Sequence, residues 1–342
     1  MAKQTLAVKY RPHSFESVIE QDSIKIILQQ QLESGEFKNA YLFVGGAGTG
    51  KTTTARIFAN EINEGKGNPI ELDAASNSSV DDVRNIIQQA KTKSLDSEYK
   101  VFIIDECHSL SNTAWQAFLK LIEEPPAKSI FIFCTTNPEK IPKTILSRVQ
   151  RFDFRRISQS GIVERLDYIL ENERDDEDAH DLAALEYIAK LADGGMRDAI
   201  TLMDKCLAYS SELTIENIVK ALGVADYDMM CKLTMNYIVD NAATIIELVE
   251  QIHSSGIDLK QFIRQYINFV LDIKKYIILQ DFTYLQLPQV EQITTLLKDI
   301  VNNEEFEVVD SLLDKLLKLN TDIKYDPAPK CIIEAVLIGG IR

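Results

Sequence analysis

The stretch AYLFVGGAGTGKTT, residues 40–53, joins a short apolar run to a glycine-rich loop. The apolar run is Ala40–Val44, and the loop that follows matches the pattern G-x-x-x-x-G-K-T. Because a helical pattern comes next, the stretch predicts a strand, a phosphate-binding loop and a helix. The backbone N–H groups of such a loop and the positive end of its helix surround a phosphate group. The predicted nucleotide-binding residues are Gly45, Gly46, Ala47, Gly48, Thr49, Gly50, Lys51, Thr52 and Thr53.

Two side chains of this loop have separate expected roles. Lys51 is expected to reach the β- and γ-phosphates of a bound nucleotide, and the Thr52 hydroxyl is expected to bind Mg²⁺. The alternative is a strand-to-helix turn that merely tolerates glycine. The complete match between a strand and a helix is more specific than that alternative. We therefore expect a nucleoside triphosphate and Mg²⁺ as ligands.

Short apolar runs alternate with helical patterns between residues 40 and 157. This alternation predicts an α/β P-loop domain, in which a parallel sheet carries helices on both faces. The ligand is expected at the carboxyl ends of the strands, where the glycine-rich loop falls. The predicted strands are Ala40–Val44, Ile70–Leu72, Val101–Ile104, Ile130–Cys134 and Arg151–Phe154.

Length and charge divide the 342 residues into three predicted domains. Residues 1–157 carry 20 Lys and Arg against 19 Asp and Glu, whereas residues 158–222 and 223–342 carry net charges of −9 and −7. Strand patterns end with the first range, and the third contains amphipathic helical stripes at Leu259–Ile273 and Phe306–Leu317. We expect these stripes to form the core of an all-helical domain. Contacts with sister subunits are the alternative for part of them.

The overall composition excludes several classes of protein. A net charge of −15 argues against nonspecific coating of DNA, which depends on clustered cations. The five cysteines are scattered singly without a C-x-x-C pair, so we expect neither a zinc site nor a disulfide framework. The sequence contains no signal-peptide pattern and no apolar run of about 18 residues, the length of a membrane span. We therefore expect a cytoplasmic protein without membrane contact.

A pair of acidic residues, Asp105 and Glu106, follows the buried strand pattern Val101–Ile104. Side chains at adjacent positions of a strand end diverge, so two different roles are possible. Asp105 is expected to support the Mg²⁺ shell, and Glu106 to polarise the water that attacks the γ-phosphate. Solvated acids at a strand end are the alternative. The phosphate-binding loop favours catalysis, and the glutamate favours hydrolysis over nucleotide binding alone.

Four further polar residues are candidates for the same site. Thr136 and Asn137 follow the strand pattern Ile130–Cys134, and they are expected to orient the water or to sense the γ-phosphate. A simple turn before Pro138 explains them equally well.

Arg148 and Arg197 could each meet the charge that develops on the phosphate during hydrolysis. Ordinary surface arginines are the alternative for both.

Eight short motifs lie along the sequence in a fixed order. They are Val8–Pro12 with Phe15, Gly45–Thr52, Glu71–Ser76, Ile104–His108, Leu121–Pro126, Thr135–Pro138, Ser147–Arg148 and Gly195–Asp198. Together these motifs resemble the clamp-loader AAA+ ATPases, and most closely the gamma/tau subunits of bacterial DNA polymerase III. The resemblance covers the chain strongly to about residue 222 and in outline beyond it.

The resemblance implies a role for each domain and for several residues. It implies an AAA+ nucleotide-binding domain over residues 1–157, a helical lid domain over 158–222 and an all-α collar domain over 223–342. The implied ligands are ATP and Mg²⁺. Implied site residues are Tyr10, Arg11 and Pro12 at the adenine pocket, Arg197 as the lid sensor, Thr136 or Asn137 as the sheet sensor, and Arg148 acting in trans on a neighbour's ATP.

The resemblance also implies partners. It implies a five-membered ring of loader subunits, a sliding clamp and primer-template DNA, with the replicative polymerase as a further candidate. The chain would then be an ATP-hydrolysing accessory subunit without a polymerase active site. Helix starts are candidate DNA contacts, and plain helix capping is the alternative. The candidate DNA-contacting residues are Asn77, Ser78, Arg84, Asn112 and Thr113.

The sequence departs from the gamma/tau pattern in four places, two of which are single residues: Val149 replaces the usual cysteine after Ser147–Arg148, and Asn137 stands where an acidic residue is usual. A short segment, Glu64–Pro69, stands where those subunits carry a four-cysteine zinc module, so no zinc is expected. The long tail of tau-type subunits has no counterpart before the sequence ends at Arg342, which predicts a minimal loader subunit.

Two alternative functions remain open. One is a stator subunit that does not hydrolyse ATP, and the other is a different AAA+ machine, such as a helicase loader or a branch-migration motor.

Overall fold

The computed structural model describes residues 4–76, 80–92, 94, 96–173, 182–222, 227–282, 284–288, 291–324, 326 and 328–339. It forms two compact units, Met1–Ala208 and Tyr209–Arg342. The first unit contains the sheet together with helices from the first two predicted domains. The division into three domains at residues 157 and 222 stays a prediction.

The first unit is built on a five-stranded parallel sheet, which confirms the predicted fold class. Its strands are β1 Ala40–Val44, β2 Ile70–Asp73, β3 Lys100–Asp105, β4 Ser129–Thr135 and β5 Gln150–Asp153. They are ordered β2-β3-β4-β1-β5, so β4 lies between β1 and β3. The carboxyl ends of these three neighbours therefore lie side by side. Each predicted strand is present, with ends that differ by at most one residue.

The central strands are buried on both faces, as their continuous apolar runs require. Every residue of β1 and of β4 is buried. On one face Phe102 of β3 stacks on Phe131 of β4, with ring centroids 5.0 Å apart. On the other face Phe43 packs edge-on against Phe152 of β5, with ring centroids 5.5 Å apart. The backbone pairing of β1 and β3 with β4 places the three strand ends that carry the polar candidates side by side.

Helices cover both faces of this sheet and continue beyond it. Three short 3₁₀ turns occur at Phe15–Ser17, Cys107–Ser109 and Pro138–Lys140. The α-helices are α1 Leu6–Lys9, α2 Asp22–Ser34, α3 Lys51–Ile62, α4 Val80–Ala90, α5 Asn112–Glu123, α6 Lys143–Leu146, α7 Gln159–Glu173, α8 Leu182–Leu191 and α9 Met196–Tyr209.

The second unit is helical, and the two predicted amphipathic stripes lie on its helices α13 (Leu259–Leu279) and α15 (Phe306–Asp322), which form part of one hydrophobic core. Gly256, Pro288 and Asp326 each lie between consecutive helices of this unit. In the residues that the structure describes, no helix has both the length and the apolar character needed to cross a membrane. The helices are α10 Ile215–Leu222, α11 Tyr227–Ile238, α12 Ala242–Ser254, α13 Leu259–Leu279, α14 Glu291–Asn302, α15 Phe306–Asp322 and α16 Pro329–Ile338.

Candidate functional site

A cavity of about 290 Å³ lies at the carboxyl edge of the sheet, between the glycine-rich loop, the N-terminal segment and α9. It brings together most of the residues predicted from the sequence. The predicted residues that line it are Tyr10, Arg11, Pro12, Ala47, Gly48, Thr49, Gly50, Lys51, Thr52, Thr53, Asp105, Glu106 and Arg197. Gly45, Gly46, Thr136, Asn137 and Arg148 are not among its lining residues.

The glycine-rich loop wraps around the first residue of α3. Gly50 precedes the helix in the left-handed conformation, with φ of 99°. Lys51 begins α3, and the residue is only 6% exposed. Its ammonium group donates hydrogen bonds to the carbonyl oxygens of Gly45, at 3.0 Å, and Gly46, at 2.7 Å. Burial lowers the pKa of Lys51, while the nearby carboxylates of Asp105 and Glu106 act in the opposite direction.

The loop and strand β3 meet through a direct hydrogen bond. The Thr52 hydroxyl donates to Asp105 Oδ2 at 2.8 Å. The other oxygen, Asp105 Oδ1, accepts from the backbone N–H of Glu106 at 3.0 Å. A hydroxyl and a carboxylate beside a phosphate loop are the hard oxygen ligands that Mg²⁺ takes together with substrate phosphates. These two residues therefore fit Mg²⁺.

Glu106 is fixed by its backbone and by two side chains. Its backbone is left-handed, with φ of 45°, a conformation that is uncommon for residues other than glycine. Thr136 donates a hydrogen bond from its hydroxyl to Glu106 Oε2 at 3.0 Å. The imidazole Nδ1 of His108 lies 3.2 Å from the same oxygen. The carboxylate thus lines the cavity while one of its oxygens is held from the side of β4.

Thr136 and Asn137 lie at the end of β4, as predicted, but their contacts differ. Thr136 reaches the cavity through Glu106. The backbone N–H of Asn137 donates to Thr135 Oγ1 at 3.0 Å, and Asn137 begins the 3₁₀ turn at Pro138. Of the two candidates for the sheet sensor, Thr136 is the one in contact with the acidic pair.

Helix α9 begins directly against the glycine-rich loop. The backbone N–H of Met196 donates to the carbonyl oxygen of Gly48 at 3.0 Å. A Cβ atom on Gly48 would lie 3.1 Å from the Cα of Gly195, so the two backbones approach closely. Arg197 follows in the first turn of α9, exposed and lining the cavity. A guanidinium group at this position can reach a phosphate in the loop.

The N-terminal segment closes the far side of the cavity. The hydroxyl of Tyr10 donates to Glu173 Oε1 at 2.7 Å, and Arg165 Nη2 donates to the carbonyl oxygen of Tyr10 at 2.9 Å. Arg165 also lies over the ring of Tyr168, with 5.0 Å between its Cζ atom and the ring centroid. Burial lowers the pKa of Arg165.

Arg165 lines the cavity, and sequence reasoning missed it. It stands beside the buried apolar residues of α7, Ile162 and Leu166. A single arginine next to an apolar stripe is ordinary for an amphipathic helix, so the sequence carried little signal for this contact.

Arg148 lies near the amino ends of the strands, whereas the cavity lies at their carboxyl ends. It precedes β5, whose first residue Gln150 pairs with Tyr41, whereas the cavity lies beyond the end of β1 at Val44. A strand rises about 3.3 Å per residue, so about 10 Å of β1 lies between Tyr41, which is level with Gln150, and Val44, beyond which the cavity lies. Arg148 Nη1 donates to the carbonyl oxygen of Thr144 at 2.8 Å and to Ser147 Oγ at 3.0 Å. Its Nη2 lies 2.9 Å from Glu123 Oε1 in an ion pair.

The candidate DNA contacts are only partly described. Arg84 is exposed on α4, and Asn112 and Thr113 are exposed in the first turn of α5. The Ser111 hydroxyl accepts from the backbone N–H of Ala114 at 3.2 Å and caps α5. Asn77 and Ser78 lie outside the described residues.

Three family models match consecutive parts of the sequence. "DNA polymerase III, delta subunit" matches residues 62–158, and "DNA polymerase III clamp loader subunit, ATPase lid domain" matches residues 161–212. "DNA polymerase III subunits gamma and tau domain III" matches residues 213–341. The chain belongs to the DNA polymerase III clamp-loader family. All three models therefore agree with the resemblance seen in the short motifs.

Relatives of this clamp-loader chain match nearly its whole length. It is 34% identical to DNA polymerase III subunit tau of Bacillus subtilis (strain 168), over 99% of this chain and 63% of that protein. It is 30% identical to DNA polymerase III subunit gamma/tau of Mycoplasma genitalium, over 86% of this chain and 52% of that protein. The clamp-loader chain thus spans between about half and two thirds of the length of these two relatives.

A solved structure shares the fold of the clamp-loader chain. The Holliday junction branch migration motor RuvB of Thermotoga maritima superposes with a TM-score of 0.51, covering 73% of this chain and 86% of that one. Its sequence identity is 21%. At that identity the likeness concerns the AAA+ fold alone.

Proposed function

We propose that this chain is an ATP-hydrolysing motor subunit of a DNA sliding-clamp loader, resembling the gamma/tau subunit of DNA polymerase III. The observation that carries the proposal is the meeting of Lys51, Thr52, Asp105 and Glu106 at one cavity. These residue types supply a phosphate-binding cation, Mg²⁺ ligands and a base for the attacking water. A subunit that only held the ring together would need none of this set.

Each residue of the cavity has a role in the proposed reaction. Lys51 neutralises charge on the β- and γ-phosphates, and its burial strengthens that interaction because water screens it less. Thr52 and Asp105 would hold Mg²⁺, which would supply charge neutralisation across the phosphates. Glu106 accepts a hydrogen bond from the attacking water and orients it in line with the γ-phosphate.

Two arginines complete the proposed site from different places. Arg197 contacts phosphate from the first turn of α9 and links the lid to the nucleotide. Arg148 stands outside this chain's own cavity, and its exposed position supports a role in the ATP site of a neighbouring subunit. Hydrolysis would then depend on assembly, because an arginine supplied in trans stabilises the charge of the transition state.

The proposal extends to partners and boundaries. The subunit would act in a five-membered ring in the cytoplasm, open a sliding clamp and release it on primer-template DNA. Adenine would lie against Tyr10, Arg11 and Pro12, which line the far side of the cavity. DNA contact is proposed for Arg84, Asn112 and Thr113 because they are exposed on α4 and in the first turn of α5. The domain boundaries at residues 157 and 222 belong to the same proposal.

The test measures ATP turnover by the assembled complex, with and without sliding clamp and primed DNA. We expect low turnover by the isolated chain and stimulation by clamp and DNA together. Lys51→Ala should abolish ATP binding. Arg148→Ala should leave ATP binding intact and lower turnover by a factor of about 10³ or more, which is the usual contribution of such an arginine.

A matched control is available three residues away. Arg151 is also an exposed arginine, it pairs with Asp153 of its own strand, and it does not line the cavity. Arg151→Ala should leave turnover unchanged. If clamp and primed DNA do not stimulate turnover, and Lys51→Ala does not change it, the proposal is contradicted.

A further inference from the structure

His108 stands at the centre of a small polar cluster beneath Glu106. Its Nδ1 atom lies 3.2 Å from Glu106 Oε2 and 3.2 Å from Thr135 Oγ1. Thr135 is fully buried, and its Oγ1 also accepts from the backbone N–H of Asn137 at 3.0 Å. His108 therefore connects the acidic pair at the end of β3 to a buried position at the end of β4.

The surroundings determine which ring nitrogen carries the proton. In the tautomer without a proton on Nδ1, a lone pair of the ring would face the carboxylate of Glu106 and repel it. With the proton on Nδ1, the ring presents an N–H to both oxygens. We assign the Nδ1–H form on this ground. In that form His108 attracts the carboxylate of Glu106 whether the ring is neutral or charged.

The contacts of Glu106 are unequally divided between its two carboxylate oxygens. Thr136 and His108 both approach Oε2. Such an arrangement anchors one oxygen and leaves Oε1 to accept a hydrogen bond from water, as a general base must. The left-handed backbone of Glu106 adds to this, because such a conformation persists only where the surroundings hold it.

We propose that His108 is a positioning residue for the hydrolytic water: with Thr136 it anchors Glu106 Oε2, so that the other carboxylate oxygen faces the attacking water. The inference rests on the proposed ATPase function. His108 does not line the cavity itself and acts through Glu106. A shift of about 1 Å in a catalytic group can lower a rate about 100-fold, so an anchor of this kind has a measurable effect.

The experiment is a double-mutant cycle between His108 and Glu106, measured in the full loader complex with clamp, primed DNA and saturating ATP. His108→Leu removes the Nδ1 donor, and we expect a fall in kcat of about 10- to 100-fold with KM for ATP changed less than about twofold. His108→Asn puts an amide N–H close to the position of Nδ1 and should restore most of kcat. In the Glu106→Gln background, His108→Leu should cause no further loss.

The thermal unfolding midpoint of each variant monitors folding. If His108→Leu lowers that midpoint, His108→Ala is used as a second variant. A role in folding alone would lower kcat equally in the presence and absence of Glu106, and that result would overturn the inference. Full kcat in the His108→Leu complex would do the same while leaving the proposed function intact. An unaltered complex without any ATP turnover would overturn both.

Discussion

The hydroxyl of Thr52 donates a 2.8 Å hydrogen bond to Oδ2 of Asp105, although 53 residues separate them in the sequence. The contact joins the first turn of α3 to the end of β3 at the floor of the cavity. Both groups are oxygen ligands that suit Mg²⁺. The pairing holds them at hydrogen-bond distance, so little rearrangement is needed for both to face the same ion.

Replacing Thr52 by valine should impair Mg²⁺-dependent nucleotide binding. Thr52→Val keeps the shape of the side chain and removes the oxygen, so Asp105 loses a hydrogen bond and a bound Mg²⁺ would lose one of its proposed ligands. We expect about a tenfold or greater loss of ATP affinity in Mg²⁺, from a hydrogen bond to a charged group worth about 1.5–3 kcal/mol. Affinity in EDTA should change much less. Fluorescence titration with an ATP analogue, with and without Mg²⁺, measures both.

Thr54 provides the matched control for that substitution. Its hydroxyl oxygen is buried and has no hydrogen-bond partner among the described residues. Thr54→Val removes a polar atom that is costly to bury, so it should raise the free energy of unfolding by up to about 1 kcal/mol and leave nucleotide affinity unchanged. Equal effects of Thr52→Val and Thr54→Val on affinity would refute the special role of the Thr52 hydroxyl.

Gly194 is expected to be far less tolerant of alanine than Gly35. Both have positive φ, 82° and 67°. A Cβ on Gly194 would lie 2.6 Å from the Cβ of Arg156, whereas nothing lies within 4 Å of a Cβ on Gly35. Gly35→Ala should therefore cost about 1 kcal/mol of backbone strain, and Gly194→Ala about 2 kcal/mol or more. Chemical denaturation of the two variants compares these costs.

The same substitution should also affect the lid. Gly194 accepts a hydrogen bond from the backbone N–H of Ile157, which leads into α7, and it lies two residues before α9. A displaced α9 would carry Arg197 away from the glycine-rich loop, where we propose that it contacts phosphate. ATP affinity should therefore fall in Gly194→Ala and stay constant in Gly35→Ala, and an unchanged affinity in both would show that the lid adapts.

Local pattern and sheet geometry were sufficient to predict the centre of the candidate site. The apolar run Ala40–Val44 and the run before Asp105 are unambiguous buried strands, and parallel strands end at one edge of the sheet. Lys51 and Glu106 were therefore placed at the same edge of the sheet once both strands were assigned. This part of the prediction used only sequence-local information.

The remaining contacts of the candidate site depend on pairing between distant segments of the chain, which the periodicity of the sequence does not encode. The position of β4 between β1 and β3 is a choice of strand order, and it alone brings Thr136 to Glu106. The ion pair of Arg148 with Glu123 joins residues from different elements of the fold. His108 follows the acidic pair in the sequence, but its contact with Glu106 depends on the left-handed backbone of Glu106, which no sequence pattern predicts.

Tyr41 should make stability depend on alkaline pH. Its hydroxyl is buried, accepts from the backbone N–H of Lys38 and donates to Gln31 Oε1, both at 2.8 Å. Burial raises the pKa of Tyr41 to about 12, against about 10 in an unfolded chain. A raised pKa means that its contribution is complete below about pH 10 and is lost as the pH rises towards 12.

The comparison of Tyr41→Phe with the unaltered protein isolates this effect. At pH 8.5 the variant should be less stable by about 1–2 kcal/mol, since two hydrogen bonds are lost. By pH 11 that difference should shrink by about 1.4 kcal/mol, because only the unaltered chain ionises Tyr41 on unfolding. Urea denaturation at both pH values measures it. Tyr284→Phe, at a tyrosine that is 68% exposed, should show no such change.

Asp272 should be the most sensitive acidic residue of the helical unit. It is buried on α13, where Oδ1 accepts from Lys275 Nζ at 2.7 Å and Oδ2 accepts from the backbone N–H groups of Gln286, at 2.6 Å, and Leu287, at 3.2 Å. Asp272→Ala leaves those two N–H groups without their acceptor. We expect a loss of about 2–4 kcal/mol and a smaller loss for Asp272→Asn, which keeps one acceptor oxygen.

Hydrogen exchange locates that loss in the structure. The amides of Gln286 and Leu287 should lose protection in Asp272→Ala by more than amides elsewhere in the unit, because the carboxylate is their acceptor. Asp310→Ala is the control: its carboxylate is 54% exposed and pairs with Lys274, so it should cost less than about 1 kcal/mol. Unchanged protection at both amides in Asp272→Ala would mean that the loop is held by its apolar contacts, with Leu285 and Leu287 as the buried anchors.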